Sequence, residues 1–168
     1  MKKLLLSIPI LLISYSVNAA WTSNSEDNIF GEKDALLVGQ LNVSNAVSLF
    51  RCSGDKLSFS YVEFTKDADF KGRPADLLFK VDGNNVIKFD AEFRVKNNKS
   101  VEAISYDEGK ITKALSELKS ANSKYLIGVN IKGSSFDPDD NYKISHPGNV
   151  ARSTAEVNKF VKACDIKL

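Results

Sequence analysis

Alternation of apolar and charged residues is the clearest pattern in the chain, and it is strongest over residues 86–96. The apolar set there is Ile87, Phe89, Ala91, Phe93 and Val95, and the charged set is Lys88, Asp90, Glu92, Arg94 and Lys96. A period of two places the two sets on opposite faces of a strand. A strand with one buried and one wet face is typical of an antiparallel sheet.

Six further apolar or alternating runs also predict strands, at residues 35–41, 46–52, 57–64, 77–81, 101–106 and 125–132. Ser53-Gly54-Asp55-Lys56 separates two of these runs and favours a tight turn, so the two are predicted to form a hairpin. Residues 20–34 are mostly polar and are predicted to be a lead-in with short structured pieces. Residues 133–149 contain Pro138 and Pro147 and are predicted to be a loop.

Two segments have the apolar spacing of an amphipathic helix. Asp107 can cap the first, whose apolar side is Ile111, Ala114, Leu115 and Leu118. The second covers residues 153–164, and its apolar side is Val157, Phe160, Val161 and Cys164. Ser153 and Glu156 fit a capping box, in which each side chain bonds the backbone N–H of the other residue.

About seven strands and two helices, without a regular alternation of the two, predict a β-rich α+β fold. The predicted architecture is an antiparallel sandwich or a curled sheet, with both helices packed on it and one disulfide. We expect residues 20–168 to form a single domain.

Residues 1–19 have the pattern of a cleavable signal peptide. Lys2 and Lys3 precede a short apolar run, and Val17-Asn18-Ala19 provides a small-residue cleavage site. The alternative is a membrane anchor, but the run is interrupted by Ser7 and Pro9 and is shorter than the roughly 20 apolar residues that span a bilayer. We therefore expect export to the bacterial periplasm or beyond, with no transmembrane segment after cleavage.

The chain contains two cysteines, Cys52 and Cys164. In an oxidising compartment two lone cysteines usually pair with each other, although an intermolecular bridge and two free thiols are the alternatives. An intramolecular bridge would join the second helix to the end of a strand. In the chain-entropy model, closing a loop of about 100 residues contributes about 4.7 kcal/mol of stability.

Charge gives no indication of a nucleic-acid partner. The precursor has 23 basic and 21 acidic residues. The leader contains two lysines and no acidic residue, so the mature chain has equal numbers of each. A net charge near zero does not favour nucleic-acid binding.

Metal or catalytic chemistry has few candidates in this sequence. His146 is the only histidine and is predicted to lie in a loop, and no nucleophile motif or zinc set accompanies it. Asp137, Asp139 and Asn141 have the alternate spacing of calcium ligands, but Tyr142 and Gly148 stand where an EF-hand needs Gly and Glu. A solvated acidic turn is the alternative to a weak calcium site. We predict no cofactor.

Four features of the sequence together resemble a known family. They are Trp21 at the start of the mature chain, Leu49-Phe50-Arg51-Cys52, Lys88-Phe89-Asp90 and a final helix that closes on Ala163-Cys164. The arrangement resembles the periplasmic type VI secretion-associated proteins of the VasI type and, more loosely, other small exported proteins with the same two cysteines. The resemblance implies a stapled β-rich domain and an accessory role in secretion. Trp21 is expected to pack into the sheet.

Three functions are compatible with these observations. The favoured one is a non-enzymatic periplasmic accessory or binding protein that acts on an envelope protein. The alternatives are a small inhibitor or prophage-encoded exclusion factor, and an envelope-polymer hydrolase that uses carboxylates such as Asp67, Asp69, Asp137 and Asp139. The predicted contact surface is the loop at 133–149, with Ser134, Phe136, Tyr142 and His146.

Overall fold

The computed structural model describes residues 20–27, 33–65, 71–133 and 141–168. Their strands form one antiparallel sheet in the order β1-β2-β3-β4-β7-β6-β5-β8-β9. The strands are β1 Trp21–Asp27, β2 Lys33–Gln40, β3 Ala46–Ser53, β4 Lys56–Glu63, β5 Arg73–Val81, β6 Ile87–Asn97, β7 Ser100–Ser105, β8 Lys124–Ile131 and β9 Tyr142–Asn149. The β-rich prediction is confirmed, but the described residues contain nine strands and not seven.

Both missed strands lie at the edges of the sheet. Strand β1 comes from the polar lead-in, and β9 comes from the segment predicted to be a loop because of its prolines. An edge strand needs hydrogen bonds on one side only, so it tolerates polar residues and a proline whose missing N–H would point outward. Polarity and Pro147 therefore concealed two real strands.

The inner face of the sheet carries the hydrophobic core. Its largest fully buried side chains are aromatic, and they include Phe50, Phe59, Phe79, Phe89 and Tyr125. Phe50 stacks on Phe59 at 4.3 Å between ring centroids, and Phe59 meets Phe79 edge-on at 5.2 Å. The alternation over β6 is confirmed here, because Phe89 is buried while Lys88 is exposed. The hairpin of β3 and β4 is also confirmed, with Ser53 opposite Lys56.

The sheet curls until its two ends touch at one corner. Leu41, just past β2, forms a bridge with Gly148 of β9, and the Asn42 N–H donates to the Pro147 carbonyl at 2.9 Å. The Trp21 indole N–H donates to the Asn149 carbonyl at 3.0 Å across the same seam. One continuous curled sheet is therefore the correct alternative, and the sandwich was wrong.

Two glycines make this seam possible. Gly39 lies under the Trp21 ring and Gly148 lies under the Tyr125 ring, so a Cβ at either position would overlap the ring. The two rings contact each other at 5.0 Å. Trp21 is completely buried, which confirms that it packs into the sheet.

Helix α1, Glu108–Lys119, has the predicted cap and the predicted apolar side. The Asp107 carboxylate accepts the Lys110 N–H at 3.1 Å, and all four apolar residues of that side are buried: Ile111, Ala114, Leu115 and Leu118. This side packs against β4, β5 and β6. Helix α1 also packs against α2. The spacing of apolar residues was sufficient because the helix buries one side.

Helix α2, Ser153–Ala163, does not begin with the predicted capping box. Arg152 is the N-cap residue, with a left-handed backbone at φ 68°, and no side chain caps the helix. The Glu156 carboxylate instead accepts the Ser23 N–H at 3.0 Å and the Ser23 hydroxyl at 2.7 Å. A tertiary contact with β1 has displaced the local one. Val157 and Phe160 are buried as predicted, and Val161 is partly buried.

Cys52 and Cys164 form an intramolecular disulfide, with their Cα atoms 6.2 Å apart. Cys52 lies on β3 and Cys164 follows the last turn of α2. The bridge therefore fastens α2 to the sheet, as the sequence predicted.

Candidate functional site

The predicted contact surface is described only in part. Ser134, Phe136, Asp137 and Asp139 lie outside the described residues, as do Asp67 and Asp69. Asn141 precedes β9, and its side-chain oxygen accepts the Gly133 N–H at 3.1 Å. The described ranges hold no cluster of three or more His, Cys, Asp or Glu that could bind a metal ion.

His146 is a strand residue, which corrects its prediction as a loop residue. It lies half-buried on the inner face of β9, and its ring lies parallel to that of Tyr61 on β4 at 6.1 Å. The Tyr61 hydroxyl donates to the Glu63 carboxylate at 3.3 Å, and burial and that carboxylate raise the Tyr61 pKa. Tyr142, at the start of the same strand, is 48% exposed. Both residues are thus on the inner face of β9, where His146 is half-buried and Tyr142, at the start of the strand, is exposed.

Asp107 and Glu108, another carboxylate pair in the sequence, stand at the start of α1. Asp107 is the N-cap residue, and the hydrogen bond from the Lys110 N–H lowers its pKa. A carboxylate held ionised by a helix N-terminus stabilises the helix. The geometry therefore gives Asp107 a structural role.

A solvent-facing depression on the opposite, outer face is the best-formed candidate site among the described residues. We call it the outer hollow, and its floor is formed by Leu78, Leu126 and Gly128 on β5 and β8. Its volume is about 490 Å³, which lies within the usual range for ligand pockets of about 300–1,000 Å³. Lys80, Val86, Lys88 and Lys143 are among the residues around it.

Strand register explains why the depression lies at Gly128. Lys88, Leu78, Gly128 and Ser145 are direct neighbours across four adjacent strands. Gly128 has no side chain, so the row is open at its centre. A Cβ at Gly128 would be 3.4 Å from the Ile144 carbonyl and 3.6 Å from the Leu78 Cβ, which are ordinary contacts. The space is therefore available, in contrast to Gly39 and Gly148.

The rim of the outer hollow is mainly cationic. Asp76 is buried beside it and accepts from Lys88 at 3.1 Å and from Lys132. Burial alone raises the Asp76 pKa, but the hydrogen bonds from Lys132 and Lys88 outweigh burial and lower it. Lys80 and Lys143 form no ion pair with any residue that the structure describes. Two ammonium groups thus remain to bind anionic groups.

A second depression lies over β3, β4, β7 and β6, and it is filled differently. Glu102 is 1% exposed at its centre and pairs with Arg94 at 2.9 Å and with Lys96 at 2.7 Å. The guanidinium of Arg94 also donates to the Tyr106 hydroxyl at 3.1 Å. These side chains satisfy one another's charges and hydrogen bonds, and the remaining volume of the depression is about 200 Å³. The outer hollow is the more open of the two.

The outer hollow adjoins the edge of the sheet formed by β9. This strand pairs with β8 on one side, and on the other side its C-terminal end meets Leu41 and Asn42. Lys143 and Ser145 lie on the outer face beside the hollow. The candidate site therefore combines an apolar floor, a lysine rim and a strand edge.

One feature of the sequence marks this site. Leu78 and Leu126 point outward, where neighbouring strands have charged residues such as Lys88 and Asp90. Both leucines lie in continuous apolar runs, which conceal the face that each residue occupies. Strand register was needed to show that two outward leucines flank one glycine.

Comparisons of the chain with protein-family models, curated proteins and solved structures find no match. Within the described part of the chain, no helix has the length and apolar character needed to cross a bilayer.

Proposed function

We propose that this chain is an exported, non-enzymatic binding protein that contacts a protein of the bacterial envelope through the outer hollow. The leader pattern supports export, and the Cys52–Cys164 disulfide is consistent with an oxidising compartment. The resemblance to VasI-type proteins suggests an accessory role in type VI secretion as the specific setting.

The observation that carries the proposal is the apolar floor on the solvent side of the sheet. Leu78 and Leu126 are partly exposed there and do not belong to the core of the inner face. A small apolar centre with a charged rim is the usual anatomy of a protein interface. The two leucines therefore offer apolar surface that a partner can cover.

Site-specific photo-crosslinking in cells tests this function. A benzophenone amino acid at Val86, which is 53% exposed beside the outer hollow, is expected to give one discrete adduct with an envelope protein. The same group at Val95, which is 39% exposed on β6 and is not one of the residues around the outer hollow, is the matched control and is expected to give none.

Gly128→Val provides the decisive comparison, because it fills the outer hollow from within a strand that favours valine. The Val86 adduct is expected to disappear in this variant while thermal stability stays the same. An adduct that forms equally from both valines, or that persists with Gly128→Val, contradicts the proposal. The secretion role is tested by complementing a deletion strain with wild type and with Gly128→Val.

A further inference from the structure

We infer that the occupant of the outer hollow is an acidic, extended segment of the partner that adds to the edge of β9 and places an apolar side chain over Gly128. This inference rests on the proposed function and specifies the chemistry of its partner. Four features of the described residues support it: backbone direction, strand register, charge and the limited length of the free edge.

Backbone direction makes part of β9 available for pairing. The Pro147 carbonyl points away from β8, because it accepts the Asn42 N–H. Backbone groups alternate in direction along an antiparallel strand, so those of Ser145 and Lys143 also point away from β8. Neither residue has a strand neighbour on that side among the described residues. Their N–H and C=O groups can therefore pair with an added strand.

Strand register then determines what the added strand would meet. A strand paired with β9 lies about 4.8 Å beyond it. A side chain of that strand opposite Ser145 would continue the row of Lys88, Leu78, Gly128 and Ser145. A long apolar side chain there can lean across Ser145 into the space above Gly128. A side chain two residues away on one side would stand beside Lys143, whereas the position beside Pro147 is already occupied by Asn42.

Charge determines which segment fits. The outward residues on this edge are Lys143, Ser145 and Pro147, so the edge carries a positive charge and no acidic residue. Lys80 adds a second ammonium group at the rim, and Asp76 is already paired with Lys88 and Lys132. A carboxylate on the Lys143 side of the apolar residue would complement these groups. A basic segment would be repelled.

The free edge is short, and this explains why side chains must contribute. The seam at Leu41 and Asn42 occupies the C-terminal end of β9, so pairing is confined to the backbone groups of Lys143 and Ser145. A ladder of this length provides few hydrogen bonds, and each contributes only about 1 kcal/mol net. A second copy of the chain is disfavoured, because antiparallel pairing of two β9 edges would bring both lysine rims onto one face.

A synthetic peptide can test this inference. The probe is acetyl-Thr-Asp-Thr-Trp-Thr-Asp-Thr-amide, which has its Asp and Trp side chains on one face and offers an Asp to Lys143 in either strand direction, and the control has Lys in place of both Asp residues. We expect the acidic peptide to shift the backbone amide NMR signals of Lys143 and Ser145. Gly128→Val is expected to weaken binding at least about tenfold, and Lys143→Glu about threefold to tenfold. Lys113→Glu, at an exposed position of helix α1, is the charge-matched control and is expected to leave peptide binding unchanged.

The possible results separate this inference from the proposed function. Equal binding of the lysine peptide, shifts confined to other strands, or no binding of the acidic peptide each overturns the inference. If the Val86 adduct nevertheless forms and Gly128→Val abolishes it, the proposed function stands with a partner of different chemistry. Self-association in sedimentation that Lys143→Glu alters also overturns the inference, in favour of a second copy.

Discussion

Strands β1 and β9 are the two edges of one sheet, yet within the described ranges only β1 is covered by a helix. Helix α2 packs along β1, and its Glu156 carboxylate accepts the N–H and the hydroxyl of Ser23. Strand β9 is held at its C-terminal end by the seam with Leu41 and Asn42. Its Lys143 and Ser145 remain at the surface beside the outer hollow.

This difference shows how the protein limits unwanted pairing while keeping one edge available. An unprotected edge can pair with another chain, and a buried carboxylate, a proline and a lysine each discourage this. On β1, the Glu156 carboxylate of α2 accepts a hydrogen bond from the outward N–H of Ser23. On β9 the proline protects one end, and Lys143 makes the rest selective for negative charge.

Loss of the disulfide is expected to have the largest effect, because it releases the helix that covers β1. In Cys52→Ala/Cys164→Ala, the free energy of unfolding is expected to fall by about 4–5 kcal/mol, from the entropy of a loop of about 100 residues. Urea unfolding measures this, and wild type with dithiothreitol should match the variant. A loss below about 1 kcal/mol would show that packing alone holds α2.

Protonation of Glu156 is expected to have the next largest effect. Burial alone would raise its pKa, but the Ser23 hydroxyl, Lys159 and the Ser23 N–H lower it to about 2, from an ordinary value of 4.5. A lowered pKa stabilises the fold above pH 4.5, and this contribution is lost as the pH falls towards 2. Its size is roughly 3 kcal/mol.

Urea midpoints of wild type and Glu156→Gln between pH 2 and 7 measure this contribution. The difference between the two proteins is expected to be constant above about pH 5 and to vanish near pH 2. The difference between the two proteins isolates the contribution of Glu156, because Asp76, whose pKa is also lowered, is present in both. A difference that does not depend on pH would contradict the role of its charge.

A matched pair of glycine substitutions distinguishes the seam from the outer hollow. Gly148→Ala would push a methyl group into the Tyr125 ring, and it is expected to destabilise the protein by about 1–3 kcal/mol. Gly128→Ala adds the same group where there is space, and the expected change is within about 0.5 kcal/mol. Thermal unfolding of both variants measures the difference. Equal losses would show that the two sites are equally filled.

Proline at Ser145 is expected to have the smallest effect on stability. Its N–H points away from β8, in the same direction as Pro147, so a loss below about 1 kcal/mol is expected. Ser23→Pro is the matched control on the other edge, and it would cost more because the Ser23 N–H bonds the Glu156 carboxylate. Urea unfolding compares them. A larger loss at Ser145 would show that its N–H is paired.

Much of the fold could be predicted from the sequence, namely those helices and strands that bury a single face. The alternation over β6 and the apolar side of α1 were correct because each element buries one face. Residues 153–156 mark the limit of this reasoning. Ser153 and Glu156 match a local capping motif, but Glu156 forms hydrogen bonds with Ser23, 133 residues away. Such a distant partner is invisible in local sequence.

The outer hollow illustrates the same limit for the candidate site. Tyr142 was expected at a contact surface and lies beside the proposed edge, whereas His146 turned inward against Tyr61. Leu78 and Gly128 were not identified, because continuous apolar runs do not show which face each residue occupies. Register between strands decides that question, and a shift of one residue would reverse it.

By itself, the sequence determined the strand and helix periodicities, the leader pattern and the presence of two cysteines, because these depend on residue types and local spacing. Tertiary structure decided which strands became edges, where the sheet closed and which glycine formed the outer hollow. Those features depend on contacts between residues far apart in the chain. Such contacts form only when the curled sheet brings β2 to β9 and helix α2 to β1.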